Sequence, residues 1–202
     1  MMLGNIVLLM FTLVIGSVME YSLPIRSEDV KLVEQLELTQ IGEFGVIRKS
    51  RPKVPAHYHT GIDIKRPSKN YIDEPIFPIC EGVVLSKRED GPYAQIIIEH
   101  DSYDGKFWTV YEHIAGIDVG LFDEVNPKRP IARFMNKEEL ERYGWHFDHV
   151  HFEVLKVRPI KLEGSNSKPN RLYASYSLVC YTKEDLYKYF YDPVVFLQRH
   201  VN

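Results

Sequence analysis

The chain has 202 residues, of which 45% are hydrophobic and 26% charged, and its formal net charge is -3. This length and composition suit one folded domain rather than a disordered chain or a string of domains. The charge balance lacks the positive excess with which proteins bind nucleic acid or anionic lipid. Cys80 and Cys180 are too few for a disulfide scaffold or a cysteine-rich zinc site, and two separate buried thiols are favoured over a disulfide.

The first twenty residues differ in composition from the rest. Residues 5–19 carry no charge, and residues 6–15 are almost wholly aliphatic. This run is shorter than the roughly 20 residues of a membrane span and matches the apolar core of a secretory signal. No Lys or Arg precedes it, so an uncleaved anchor or a buried strand stays an alternative. We expect residues 1–20 to be a signal peptide or N-terminal anchor, with export to the periplasm, cell envelope or extracellular space. Contact with a membrane is expected only through this segment.

Ser27, followed by Glu28 and Asp29, has the pattern of a helix N-cap with an acidic first turn. Residues 21–37 are therefore predicted to form an N-terminal helical lead on the outside of the domain. From residue 38 to residue 202, short apolar runs alternate with turn residues, which predicts a single, mainly β domain.

Local signals mark several elements of this domain. The runs 95–100 and 107–113 flank an Asp104–Gly105 pair, which is typical of a β-hairpin. His113 ends the second run, where a side chain can project into a cleft. Thr182 has the character of an N-cap and predicts a helix over residues 183–191.

Residues 149–155 alternate between polar and apolar side chains, with the period of a half-buried strand. His149, His151 and Glu153 share one face. Because a strand rises about 3.3 Å per residue, the two imidazoles stand roughly 7 Å apart. One can hold a metal while the other reaches a molecule bound beside it. Two solvated surface histidines are the alternative.

His59 and Asp63 are candidates to complete a metal site with this strand. A catalytic zinc takes three protein ligands from His nitrogens and carboxylate oxygens and keeps a fourth position open. In a straight strand His59 and Asp63 would be about 13 Å apart. Gly61 lies between them and permits the bend that brings them together.

Three motifs occur in a fixed order along the chain. They are His59-Thr60-Gly61-Ile62-Asp63, Tyr111-Glu112-His113-Ile114 and His149-Val150-His151-Phe152-Glu153. In this order they resemble the motifs of lysostaphin-type (LytM-like) zinc metallopeptidases. The similarity covers residues 40–155 and the last dozen residues.

The resemblance implies an antiparallel β-sheet sandwich or barrel-like domain of the LytM (duplicated hybrid motif) type with short peripheral helices. It makes His59, Asp63 and His151 the ligands of Zn2+, and His113 and His149 the catalytic histidines. The implied activity is hydrolysis of peptide bonds in the stem or cross-link peptides of peptidoglycan. Two histidines can take up a proton and stabilise an oxyanion, and the chain has no His-Glu-x-x-His helix to supply a carboxylate base.

The approach to the final histidine pair departs from the family, whose members usually have a turn rich in Gly, Ser and Thr there. In this chain the approach is Tyr143-Gly144-Trp145-His146-Phe147-Asp148, which is bulky and aromatic. These side chains either form a substrate platform or pack a loop. An obstructed cleft would favour a non-catalytic LytM-like module that binds or regulates a cell-wall enzyme.

A cupin-like metal site is a third interpretation. It takes His57 and His59 with Asp63 and leaves His149 and His151 without the spacing that such a barrel would need.

Overall fold

The computed structural model describes residues 19–89 and 91–201, so most of the expected signal segment lies outside the described residues. The strands are β1 (Ile47–Arg48), β2 (His57–Tyr58), β3 (Ile62–Lys65), β4 (Pro75–Ile76), β5 (Gly82–Arg88), β6 (Gln95–Ser102), β7 (Gly105–Glu112), β8 (Ile114–Ala115), β9 (Glu124–Val125), β10 (Ala132–Phe134), β11 (His149–Leu155), β12 (Ile160–Lys161), β13 (Tyr173–Ala174) and β14 (Phe190–Tyr191). The helices are α1 (Lys137–Tyr143), α2 (Lys183–Tyr189) and α3 (Pro193–His200), with 3-10 turns at Val33–Gln35, Gly91–Tyr93, Trp145–Phe147 and Ser177–Val179.

One antiparallel sheet organises the molecule, in the strand order β14-β11-β7-β6-β5-β9, with β3 also paired to β11. The strand β11 is central because it has three partners. Its first half pairs with β3, its last two residues pair with β14, and β7 runs along its other edge. The mainly β architecture with short helices is confirmed, and the sheets of the described residues do not close into a barrel.

The two faces of this sheet are covered unequally. One face is buried under a large core, to which β11 contributes Val150, Phe152 and Val154. The other face is covered by a smaller core, which includes Leu155 and side chains from the C-terminal segment such as Leu186. That smaller core leaves His149 and the nearby end of β7 only partly buried. The predicted site residues of the sheet therefore lie on the second face, next to the edge of the smaller core.

The hairpin and the helix after Thr182 form as their local signals predict, although α2 ends at Tyr189 and residues 190–191 form β14. Ser102 and Gly105 close the β6–β7 hairpin, and Gly105 adopts a positive φ of 111°, which glycine tolerates without strain. The hydroxyl of Thr182 accepts from the backbone N–H of Asp185 at the start of α2. Cys80 and Cys180 are both free and buried, so the prediction of two separate thiols is confirmed.

The predicted N-terminal helix is wrong. The segment contains a single 3-10 turn at Val33–Gln35, and the Ser27 hydroxyl accepts only from the nearby backbone N–H of Asp29. Leu23 and Ile25 are 2% and 1% exposed, so the segment enters the main core instead of lying outside it. Burial of these apolar side chains favours an extended path over a helix with an exposed cap.

None of the helices in the described residues combines the length and the apolar character needed to cross a bilayer.

Candidate metal centre

Three side chains that were predicted to bind a metal converge near the first half of β11. His59 follows β2, Asp63 lies in β3 and His151 lies in β11. His59 Nε2 is 3.0 Å from Asp63 Oδ1 and 2.9 Å from His151 Nδ1, and His151 Nδ1 is 2.9 Å from Asp63 Oδ1. We call these three residues the donor group. Within the described part of the chain, it is the one set of His, Cys, Asp and Glu side chains arranged to hold a metal ion.

Gly61 allows His59 and Asp63 to come together by a different means from the predicted bend. A Cβ atom at this position would lie 2.3 Å from the carbonyl oxygen of Phe152. The residue next to the glycine, Ile62, is paired with Phe152 across β3 and β11. Glycine is therefore required because the backbone of β11 passes against it, and this close approach brings His151 to Asp63.

The hydrogen-bond partners outside the donor group determine which atom of each ring faces inward. His59 Nδ1 is 2.9 Å from the backbone carbonyl oxygen of Glu43, which can only accept, so this nitrogen carries the proton. His151 Nε2 is 3.0 Å from Glu153 Oε1 and carries the proton by the same argument. In the neutral rings, His59 Nε2 and His151 Nδ1 are therefore the unprotonated atoms, and both face Asp63 Oδ1.

Three lone pairs that face one another at 2.9–3.0 Å need a positive charge between them. Burial by itself lowers the pKa of His151, but hydrogen bonds to Asp63 and Glu153 raise it to about 10, so a proton can supply that charge. A metal ion can replace the proton. Zinc bound tetrahedrally at about 2.0 Å needs donors roughly 3.3 Å apart, close to the observed spacing. The donor types and their separations therefore fit zinc.

Glu153 is a functional residue that sequence reasoning placed on the correct face without giving it a role. It is 1% exposed, and its carboxylate accepts from Thr60 Oγ1, Ser175 Oγ and His151 Nε2. A carboxylate that accepts from the outer nitrogen of a metal-binding imidazole orients the ring and raises its basicity. Glu153 therefore positions His151.

Arg48 is a second contributor whose role was missed. Its guanidinium donates to Asp63 Oδ2, the oxygen that points away from His59 and His151. Burial raises the pKa of Asp63, but its hydrogen bonds with His151 and His59 outweigh burial and hold the pKa far below its usual value. Asp63 is therefore an anion. Its Oδ2 accepts from Arg48, and its Oδ1 faces His59 and His151.

His113 and His149 lie next to each other beside the donor group. Their ring centres are 4.9 Å apart, and His149 Nε2 is 3.7 Å from Asp63 Oδ1. His113 Nδ1 is 2.6 Å from the carbonyl oxygen of Pro92 and must donate, which leaves Nε2 unprotonated in the neutral ring. His113 also has a positive φ of 64°, an uncommon conformation for a residue other than glycine.

Burial keeps both of these imidazoles neutral. It lowers the pKa of His149 to about 3, with the charge of Asp63 only partly opposing the shift. It also lowers the pKa of His113, against a smaller opposing effect of Glu112. Both rings are therefore neutral beside the donor group, each with one N–H and one lone pair.

The comparisons with known proteins bear on this centre. The model of peptidase family M23 matches residues 57–169, which is more than half of the chain and includes the donor group, His113 and His149. The chain belongs to peptidase family M23. The predicted resemblance to lysostaphin-type zinc peptidases is thereby confirmed at the level of the family.

Solved structures similar to this M23 chain include a zinc-containing peptidase from Vibrio cholerae. The two share 26% identity at a TM-score of 0.41, over 59% of this chain and 33% of the other. The antimicrobial peptidase lysostaphin from Staphylococcus simulans shares 17% identity at a TM-score of 0.48, over 83% of this chain and 52% of the other. The chain thus spans between a third and about half of the length of these two proteins. No curated protein sequence matches the chain.

The aromatic approach, residues 143–148, lies beside the predicted catalytic histidines of this M23 chain. Phe147 is 9% exposed, and its ring centre is 5.0 Å from that of His113 and 5.6 Å from that of Tyr93. Trp145 is 50% exposed and meets Tyr71 edge-on at 5.7 Å. Phe147 therefore packs the loop against a predicted catalytic residue, while Trp145 faces outward.

Arg66 holds this approach in place. Its guanidinium pairs with Asp148 at 2.8 Å and donates to the backbone carbonyl oxygens of Asn70 and Met135 at 2.7 and 2.6 Å. Because Asp148 directly precedes β11, these contacts also fix the start of the strand that carries His149.

The cupin-like interpretation is wrong, because His57 is not part of the donor group. His57 is 7% exposed, and its Nδ1 lies 2.9 Å from the carbonyl oxygen of Pro55. His100 also lies outside the donor group, fully buried between Cys80 and Thr109.

Proposed function

We propose that this M23 chain is an exported zinc-dependent endopeptidase that hydrolyses peptide bonds in the stem or cross-link peptides of peptidoglycan. One observation carries the proposal. Three lone pairs from His59, Asp63 and His151 converge within 3.0 Å, and two neutral imidazoles stand next to them. When bound, zinc acts as a Lewis acid that activates water and polarises a peptide carbonyl.

The two imidazoles have the placement of proton carriers. His113 is anchored through Nδ1 by Pro92, so its Nε2 accepts the proton of an attacking water and returns it to the leaving amine. His149 lies between His113 and Asp63 and, as a neutral N–H donor, stabilises the negative charge that develops on the carbonyl oxygen.

The substrate class and the location rest on family and sequence. Lysostaphin is described as an antimicrobial peptidase, and the uncharged apolar residues 5–19 have the character of an export signal. Peptidoglycan peptides lie outside the cytoplasm and are therefore a substrate consistent with both observations.

The test uses zinc-loaded protein and defined muropeptides, with new termini identified by mass spectrometry. The wild type should hold about one zinc and release defined fragments. His113→Ala and His149→Ala should keep zinc and lose about 100-fold or more in turnover, since proton transfer by a positioned group contributes 10²–10⁴-fold. His200→Ala, at the C-terminal end of α3, is the matched control and should cleave normally. Undiminished digestion by the two site variants would refute the assignment.

A non-catalytic module that binds or regulates a cell-wall enzyme is the second candidate. The packing of Phe147 on His113 favours it, because a covered imidazole has less access to substrate. Bound zinc with no fragments from any muropeptide, together with tight binding to a cell-wall enzyme, would support this candidate over hydrolysis.

A further inference from the structure

A row of polar side chains leads away from the donor group across the second face of the sheet. In the strand register Asp63 is paired with His151, His151 with Glu112, and Glu112 with Gln95. Directly paired residues share a face, and adjacent strands lie about 4.8 Å apart. Glu112 and Gln95 therefore stand roughly 5 and 10 Å from His151, and both are partly exposed.

Side chains border this row on two sides. The next row along the sheet on one side contains Glu153, which is covered by Ser175 of the C-terminal segment. The border on the other side is formed by His113 and by Tyr93, whose rings are 5.7 Å apart. A peptide whose scissile bond lies at the donor group can thus extend over Glu112 and Gln95. We call these two residues the groove floor.

Glu112 differs from the other two carboxylates of the site in what it contacts. Asp63 is paired with Arg48, and Glu153 is paired with His151 and buried. Glu112 Oε2 instead accepts from the neutral side-chain amide of Gln95 at 2.9 Å. This bond orients the carboxylate along the floor without compensating its charge. The cation of the same row, Arg88, is paired with Gln95 one strand further from the donor group and lies over the ring of Tyr93.

We propose that the groove floor binds a positively charged ammonium group of the peptide substrate, with Glu112 as the charged acceptor and Gln95 as the residue that orients it. The inference rests on the proposed function and names the chemistry of one substrate position. An extended peptide advances about 3.3–3.6 Å per residue. A group held by Glu112 is therefore one or two residues from the scissile bond. The free amine of a diamino acid in a cross-linked peptide has this chemistry.

The experiment compares two muropeptide dimers that differ only at that amine, one with the free ammonium and one acetylated. Acetylation removes the charge and keeps an N–H donor. For the wild type, KM for the ammonium substrate should be about fivefold lower, the effect of one partly solvated ion pair. Glu112→Gln keeps the size of the side chain and should raise that KM to the acetylated value, with kcat unchanged. Glu99→Gln, on β6 and bonded to Lys106 and Trp108, should keep the fivefold preference.

Equilibrium binding of both dimers, measured by calorimetry on the zinc-loaded proteins, separates this inference from the proposed function. A wild type that binds the ammonium dimer more tightly, with the preference lost in Glu112→Gln, supports the groove floor even if no bond is cut. Equal binding and equal KM for the two dimers would overturn the inference while leaving hydrolysis established. Loss of turnover on both substrates in Glu112→Gln, with zinc retained, would also overturn it, since Glu112 would then serve the chemistry and not the substrate.

Discussion

The two flanks of the histidine pair in β11 are built from different kinds of contact. On the C-terminal flank, the buried Glu153 accepts hydrogen bonds from His151, Thr60 and Ser175. On the N-terminal flank, Phe147 packs its ring on His113. The first flank acts on His151, the proposed metal ligand, through a charged hydrogen bond, and the second acts on His113, the proposed proton carrier, through packing. Retention of the metal and rate of turnover should therefore respond to different substitutions.

The largest effect should come from removing one of the three proposed metal donors itself. Asp63→Ala deletes one of three donors and leaves Arg48 without its carboxylate. Zinc affinity should fall by more than the roughly 100-fold that loss of an outer partner costs, and zinc content after dialysis should approach zero by atomic absorption. Asp101→Asn, an exposed carboxylate of β6, is the control and should retain zinc. Full zinc content in Asp63→Ala would exclude this donor group.

The C-terminal flank is tested by Glu153→Gln. Zinc affinity should fall about 10- to 100-fold because the neutral amide no longer holds His151 with its Nε2 protonated. Competition with a chelator measures the affinity, and nitrogen NMR of the imidazoles reports which ring nitrogen of His151 carries the proton. Glu99→Gln should change neither. Normal affinity together with an unchanged tautomer would show that Glu153 only fills space.

The N-terminal flank is tested by Phe147→Leu. This substitution keeps an apolar side chain but removes the ring that contacts His113 and Tyr93. We expect kcat to fall by roughly tenfold because the imidazole of His113 is less well positioned. Zinc affinity should be unaltered. Tyr103→Leu at the fully exposed hairpin tip is the matched control. A loss of zinc in Phe147→Leu would contradict the separation of the two flanks.

The smallest effect is expected for Ser175→Ala, which removes one of the three donors to Glu153. A single hydrogen bond to a charged group contributes about 1.5–3 kcal/mol to stability, and only part of it should reach the metal. Zinc affinity should therefore fall about two- to fivefold, less than in Glu153→Gln. Ser167→Ala in the exposed part of the same segment should have no effect. An effect equal to that of Glu153→Gln would mean that Ser175, and not the carboxylate, orients His151.

Local patterns were sufficient for the elements that carry the site. The alternation in residues 149–155 predicts β11 (His149–Leu155), and Asp104–Gly105 predicts the β6–β7 hairpin. The N-terminal lead was mispredicted, although Ser27 and the acidic residues after it have a cap pattern. Burial of Leu23 and Ile25 in the main core outweighs a weak local preference for helix there.

The site could be predicted in part, because the residues that form it belong to local sequence motifs. The residue types of the donor group, and the two histidines beside it, follow from motif order. The roles of Glu153 and Arg48 do not, because each depends on what its side chain meets in the folded chain. Glu153 accepts from Thr60, which lies 93 positions away.

By itself, the sequence determined which side chains are available for metal binding and proton transfer. It contains imidazoles and a carboxylate at the spacing of β-strand residues, and their motifs follow one another in the order found in M23 peptidases. The tertiary structure alone decided which ring nitrogen faces the donor group, why residue 61 must be glycine, and which side chains line the groove floor. The physical reason is that strand periodicity is a short-range property of the backbone. The hydrogen bonds of His59 and Glu153 with Glu43 and Thr60 join residues 16 and 93 positions apart, and they exist only after the chain has folded.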